Sequence, residues 1–290
     1  MAVVKKSLPD RSKMPEKKPK NKPVVEDDFA LPTVMSSPAS HIGDYTMLLF
    51  GAKKIGKTTL AAMFPDALFL FTEPGGKSLR VYPLTIDSWG KFKKTIKALK
   101  KDKRFKTVVV DTVDRLFKLC WDAMLFEMDI DHPSDESWGK GWAKIRDEFD
   151  KEVTKLLSLE KGIIFTSHEA EKEIETRSGK KYHKLMPSMS NQARESIEAL
   201  VDIWAHYDYD GDRRVLRVRG NDHIAAGHRL TENFRTPAGV DIEEIEMGTR
   251  VEDGYKNLML AFNNQYTPPV RRKTELQPAP KTVVKKKVKV

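Results

Sequence analysis

One octapeptide constrains this chain more than any other feature. Residues Gly51-Ala52-Lys53-Lys54-Ile55-Gly56-Lys57-Thr58 read G-x-x-x-x-G-K-[ST], with Thr59 following. An apolar run, Tyr45 to Phe50, ends where the motif begins, and Thr59, Leu60, Ala61, Ala62 and Met63 continue it as a helix. Strand, glycine-rich loop and helix in that order build an anion cradle. The glycines let the backbone curl so that its N–H groups converge on phosphate oxygens, and the helix turns the positive end of its dipole to the same anion. Lys57 is expected to bridge the β- and γ-phosphates of a nucleotide, and the Thr58 hydroxyl to ligate Mg²⁺.

A cradle of this kind needs a sheet beneath it. Ala67–Phe71, Thr107–Val110 and Ile163–Phe165 are further short, continuously apolar runs, as strands buried on both faces of a parallel sheet should be. Helical stripes lie between them. Trp89, Phe92, Ile96 and Leu99 form one; Val113, Leu116, Phe117, Cys120, Met124 and Leu125 a second; Trp142, Ile145, Phe149, Val153, Leu156 and Leu157 a third. Alternating strands and helices predict an α/β, doubly wound, mostly parallel sheet. Towards the C-terminus, residues 201–219 turn at Asp210-Gly211-Asp212 and predict an antiparallel hairpin. A second hairpin is possible at Glu173 to Leu185, around Ser178-Gly179.

Charge sets the domain organisation. The formal net charge is +10, yet residues 1–35 carry 8 basic and 5 acidic groups and residues 267–290 carry 8 and 1, which leaves 36 of each sign in residues 36–266. Both ends are expected to be disordered basic tails, the first punctuated by Pro9, Pro15, Pro19, Pro23 and Pro32, around a neutral core at 36–266. A uniformly basic nucleic-acid binder is thereby excluded. No apolar run approaches the roughly 18–20 residues of a membrane span, and the charged N-terminus shows no secretory signal. Cys120 is the single cysteine, which excludes an intramolecular disulfide and any Cys-cluster metal site. A cytoplasmic setting is the simple expectation. The histidines show no metal-ligand spacing, so no zinc site is expected.

A phosphate loop also requires an acidic element. Asp111 ends the Thr107–Val110 run, where a carboxylate can hold Mg²⁺ through water, and strand carboxyl ends are where ligands gather in such sheets. The same carboxylate could cap the following helix, and the two roles can coexist. Thr112, not Glu, follows Asp111. This disfavours the AAA+ and ABC arrangement, in which a glutamate beside the metal-binding aspartate activates water. Another glutamate, Glu73, follows the Ala67–Phe71 run in Thr72-Glu73-Pro74-Gly75-Gly76, and can polarise an attacking water.

This order of motifs resembles the RecA-like P-loop ATPases, and looks closest to the short phage-encoded members that include single-strand annealing proteins of the Sak type. The resemblance covers roughly residues 43–235. It implies that Glu73 is the catalytic glutamate, that Asp111 and Thr112 are the Walker B pair, and that Ser167 and His168 match the Asn-Gln sensor pair, His168 standing where recombinases carry glutamine. It further implies ATP and Mg²⁺ as cofactors, single-stranded DNA and a phage single-strand-binding or replication protein as partners, and a homo-oligomeric ring or filament in the bacterial host cytoplasm.

In that family the loop after the sensor strand faces DNA. Here it contains Lys172, Arg177, Lys180, Lys181, Tyr182 and Lys184, suited to backbone phosphates and base stacking, but also five acidic residues that fit a solvated hairpin. By the same resemblance, Arg217 or Arg219 could act on a neighbouring subunit's ATP; pairing with Asp208 or Asp210 is the alternative. Trp138, in the loop 131–141, is either a stacking platform or a lid over the helix near Trp142. Cys120 is expected to pack in the core. Two other functions fit the motifs: a P-loop kinase or motor ATPase on another substrate, and a nucleotide-switched adaptor without significant catalysis.

Overall fold

The computed structural model describes residues 31 and 33–269. The chain divides into two units, residues 1–38 and 39–290. The described part of the first carries no helix or strand. Most of the expected N-terminal tail, and all but Thr267, Pro268 and Pro269 of the C-terminal one, lie outside the described residues.

The second unit is built on one mixed sheet. In chain order its elements are β1 (Thr46–Gly51), α1 (Lys57–Ala61), β2 (Ala67–Phe71), β3 (Tyr82–Thr85), α2 (Trp89–Leu99), β4 (Thr107–Asp111), α3 (Val113–Met128), α4 (Lys140–Leu157), β5 (Gly162–Glu175), β6 (Lys181–Pro187), α5 (Asn191–Leu200), β7 (Ile203–Asp210), β8 (Arg213–Arg217), β9 (Gly227–His228), β10 (Glu244–Glu246) and α6 (Val251–Phe262). The spatial order is β10-β8-β7-β1-β5-β4-β2-β3, with β6 paired to β5 and β9 to β7. From β7 to β3 every neighbour is parallel, and β8, β9 and β10 add antiparallel pairs at one edge. This is the expected doubly wound α/β sheet with its C-terminal hairpin, a P-loop NTPase fold.

Hydrophobic alternation explains the layers. Leu48 and Phe50 of β1, with Val108 and Val110 of β4, pack under α2, α3, α4 and α5. Met47 and Leu49, one residue out of phase, pack with Val109 and Ile164 under α1 and α6. Phe50, Phe92, Phe149 and Phe165 on one side, and Phe69, Phe234 and Phe262 on the other, are fully buried. Helix α2 runs over the residues its stripe delimits; the Ser88 hydroxyl accepts from Lys91 N, and Trp89, Phe92, Ile96 and Leu99 are buried.

Three features depart from the sequence expectations. The run at 163–165 and the arm from Glu173 are a single strand, β5, whose first half is buried in the sheet while its second half leaves it to pair with β6. β3 contains Pro83, which a central strand would not tolerate; it lies beyond β2 at the sheet edge, where the missing donor costs no ladder bond. Helices α5 and α6 have no counterpart among the stripes. α6 covers the α1 face, with Tyr255 edge-on to Phe64 at 5.3 Å and Phe262 edge-on to Tyr45 at 5.7 Å.

Candidate nucleotide site

The phosphate loop sits on the carboxyl end of β1, between β5 and β7. Its two glycines are needed for different reasons. Gly51 has φ +151°, and a Cβ there would lie 1.9 Å from the Tyr207 carbonyl oxygen of β7, so the strand pairing itself demands glycine. Gly56 has φ +116° and packs against the Tyr207 ring, where a Cβ would find an ordinary 3.7 Å contact; here the demand is backbone conformation alone. Ile55 anchors the loop in the core, while Lys53 and Lys54 are exposed and Ala52 and Thr59 half-buried.

Lys57 is buried, and its Nζ donates to the Gly51 and Ala52 carbonyls, each at 2.8 Å. Burial holds its ammonium below the ordinary lysine value of 10.5, against the opposing pull of Asp111, Glu169 and Asp114. A buried cation whose donors reach only loop carbonyls, beside the N-terminus of α1, suits a polyanion.

The acidic groups converge on the same end of the sheet. Thr58 Oγ1 donates to Asp111 Oδ2 at 3.0 Å, and the Thr166 hydroxyl of β5 bonds to Asp111 Oδ1. Asp111 therefore faces the loop rather than capping α3. The cap is Thr112, whose Oγ1 accepts from Arg115 N. The pair Thr58–Asp111 fits Mg²⁺, a cation usually bound by one or two protein oxygens together with phosphates and water. Among the described residues, no group of three or more His, Cys, Asp or Glu side chains could cage a metal.

Glu73 and His168 are brought to this site from β2 and β5. Thr112 Oγ1 donates to Glu73 Oε1 at 3.0 Å, and His168 Nε2 lies 3.8 Å from Glu73 Oε2. Thr72 locks the two strand ends together: its Oγ1 donates to Thr112 O at 2.8 Å and accepts from Thr112 N at 2.9 Å. Ser167 Oγ donates to Asp114 Oδ1 at 3.0 Å, the Ser188 hydroxyl after β6 donates to the same oxygen at 2.5 Å, and burial pushes the Asp114 carboxyl up. Thr72, Asp114, Thr166 and Glu169 are residues the motif reading passes over. Glu169 Oε2 and the Nε2 of buried His206 form a hydrogen bond of 2.7 Å, across β1. All four stand within three residues of a motif position, the signal by which they could be found.

The β5–β6 arm separates its charges by strand alternation. Glu171, Glu173 and Glu175 share one exposed face with His183 and Lys181, and Lys181 Nζ bonds Glu173 at 2.7 Å. Lys172, Ile174, Tyr182 and Lys184 lie on the other, half-buried face, with Lys172 Nζ donating to Met189 O at 3.1 Å. Arg177 and Lys180 are exposed at the tip. At the sheet edge, Arg217 bonds Glu244 and Arg219 bonds Asp241, each at 2.6 Å, instead of Asp208 or Asp210. Trp138 does not cover the helix at Trp142: it is 95% exposed. Cys120 is fully buried in the core, and no helix among the described residues is long and apolar enough to cross a membrane.

The comparisons with known proteins agree with this geometry at the level of family. Over 181 residues the chain is 29% identical to the SPbeta prophage-derived uncharacterized protein YorG of Bacillus subtilis (strain 168), a match covering 58% of this chain and 53% of that protein. The chain thus spans about half the length of this prophage relative. The AAA domain family model matches residues 44–230, from the start of β1 through β9. The absence of a glutamate after Asp111 counted against an AAA-type assignment; the residue is Thr112 as stated, but the family match overrides that inference. By its phosphate loop, its sheet and this match, the chain belongs to the AAA domain family of P-loop, nucleotide-binding ATPase-type proteins.

Proposed function

We propose that this protein is a phage-type, RecA-like ATPase of the Sak single-strand annealing kind, which binds and hydrolyses Mg-ATP to govern its hold on single-stranded DNA. One chain of contacts supports the catalytic half: buried Lys57 bonds the carbonyls of the phosphate loop, Thr58 bonds Asp111, and Thr112 beside Asp111 bonds Glu73 at the end of β2. Lys57 exchanges its two loop carbonyls for the β- and γ-phosphate oxygens. Thr58 and Asp111 hold Mg²⁺, which when bound neutralises charge on the phosphates. Glu73, fixed by Thr112, orients a water and accepts its proton, and His168 beside it senses the terminal phosphate.

For the DNA half, support comes from the exposed tip of the β5–β6 arm, Arg177 and Lys180, and from the basic segment at 267–290. Lys181, Lys172, Tyr182 and Lys184 contribute less directly, because each is ion-paired or half-buried. Of the two candidate fingers towards a neighbouring subunit, Arg219 has the more exposed side chain. The prophage relative supports a phage origin; recombination, repair or replication of phage DNA is the setting this reading proposes.

The decisive experiment measures ATP turnover with and without single-stranded DNA, and binding of that DNA with and without ATP, for the full chain and a chain lacking 267–290. DNA-stimulated release of ADP and free phosphate is expected. A shallower salt dependence of DNA binding is expected after truncation, at unchanged ATP affinity. Transfer of phosphate to an acceptor would make the protein a kinase. Slow turnover indifferent to DNA would make it a nucleotide switch.

A further inference from the structure

We infer that Tyr209 and Arg214, on the β7–β8 hairpin, form the seat of the nucleoside end of the nucleotide. The inference rests on the nucleotide reading above and adds a residue-level account of which end lies where.

Direction comes from the strand order. Asp111, Glu73 and His168 stand on β4, at the end of β2 and on β5, all on one side of β1. A triphosphate in the loop must turn its terminal phosphate and metal to that side. Its other end then projects over the opposite neighbours, β7 and β8. The register places one pair of side chains there. Tyr207 is level with Gly51 and pairs with Leu216, and both pack in the core on the α1 face. Tyr209 and Arg214 are the next pair on the same face, two residues beyond the end of β1. That is about 6–7 Å further along the strand, on the side from which a ligand enters.

The chemistry of the pair suits a planar, uncharged ring joined to phosphates. Tyr209 is 48% exposed, an unusual fate for a tyrosine on a strand whose other aromatics are buried. The Arg214 guanidinium lies 5.9 Å from the Tyr209 ring centroid, and its Nε donates to the Tyr209 hydroxyl at 3.3 Å. Tyr207, packed on Gly56, is the neighbouring phenol on the same face of β7. The surrounding arginines are neutralised: Arg213 by Asp210 and Glu246, Arg217 by Glu244 and Arg219 by Asp241. Arg214 has no carboxylate within 4.0 Å among the described residues; its contact is the Tyr209 phenol. An aromatic face backed by an uncompensated guanidinium stacks on a base and attracts the phosphate attached to it. Stacking of this kind does not read the base edge, so the seat favours a nucleobase over none without distinguishing adenine from guanine.

The test compares Mg-ATP with Mg-tripolyphosphate, which has the phosphates and no nucleoside, by calorimetry on the full-length protein and on Tyr209→Ala, Tyr209→Phe and Arg214→Ala. Wild type is expected to bind ATP more tightly than tripolyphosphate. Tyr209→Ala is expected to weaken ATP about tenfold, the scale of one stacked base, and to leave tripolyphosphate affinity unchanged, which also reports an intact fold; Arg214→Ala, which also removes a charge beside the innermost phosphate, is expected to weaken ATP clearly more than tripolyphosphate. Tyr209→Phe, which keeps the ring, is expected to retain most of the ATP affinity. Unchanged ATP affinity in both alanine variants, or equal loss of both ligands, overturns the assignment while leaving the phosphate loop intact. Equal affinity of wild type for the two ligands overturns it as well. If wild type binds neither, the nucleotide reading itself fails and this one with it.

Discussion

Replacing Gly51 by alanine tests the argument that the first motif glycine is demanded by strand packing. The new Cβ would sit 1.9 Å from Tyr207 O, well inside contact distance, at a φ of +151°. Two costs follow. The backbone conformation is sparsely populated for an L-residue, worth about 1–3 kcal/mol. Relieving the overlap moves β7 away from β1 and gives up at least one ladder hydrogen bond, about 0.5–1.5 kcal/mol net. Together they come to about 1.5–4.5 kcal/mol, and a domain of 150–250 residues loses about 2–4 °C of Tm per kcal/mol, so the drop is roughly 3–18 °C. Gly56→Ala is the internal control. Its Cβ meets only a 3.7 Å contact, so the conformational cost stands alone. Urea and thermal unfolding of both variants, each without ligand, should show Gly51→Ala clearly the less stable, while both lose nucleotide affinity. The reasoning is refuted if Gly56→Ala is destabilised as much as Gly51→Ala, or if Gly51→Ala unfolds within about 0.5 kcal/mol of wild type, the range of a neutral surface change.

Two further outcomes follow from the site. Because burial holds the Lys57 ammonium below 10.5 and bound phosphate would raise it again, nucleotide binding should take up a proton at alkaline pH, and affinity should fall as pH rises towards 10.5. The stability of the ligand-free protein moves oppositely: in that window the unfolded chain binds more protons at this site, so the contribution of Lys57 to stability rises with pH. Calorimetry in buffers of different ionisation enthalpy detects the proton, and affinity independent of pH from 8 to 10 would count against a depressed lysine. Glu73→Gln should bind ATP normally and lose turnover by about 10²–10⁴-fold, the usual contribution of a positioned base; wild-type phosphate release would place the base elsewhere.

What the sequence discloses and what it hides divide along a physical line. Local patterns are readable: α2 occupies Trp89–Leu99 because its apolar spacing and the Ser88 cap are contained within twelve residues. The β7–β8 turn at Gly211 is readable for the same reason. Long-range choices are not. Arg217 and Arg219 lie near Asp208 and Asp210 in sequence, yet β10 and the segment before it deliver Glu244 and Asp241 to them instead. The polar arm reads as an indiscriminate mixture of charges until its strand register is known, when a period of two sorts the glutamates onto one face. Helix α5 escapes because its apolar face is thin, with Ala193, Ser196 and Ile197 as its buried residues.

The sharpest case is Thr112. In sequence it marks a missing glutamate; in the structure it holds the glutamate that arrives from β2. One hydroxyl has two tasks: Oγ1 donates to Glu73 and accepts from Arg115 N at the start of α3. The consequence is a separable prediction. Thr112→Val keeps shape and loses both bonds; Thr112→Ser keeps both. The valine variant should lose about 1 kcal/mol of stability, the worth of a helix cap, and should also turn over ATP about tenfold more slowly, because Glu73 remains but is no longer oriented, a loss smaller than the 10²–10⁴-fold of removing a base. Serine should restore both. A valine variant with the stability loss but unchanged turnover would show that Thr112 only caps α3, and that Glu73 needs no anchor to act. A shared loss restored by serine would place the water-activating carboxylate on β2, braced from the strand where AAA+ enzymes usually carry it.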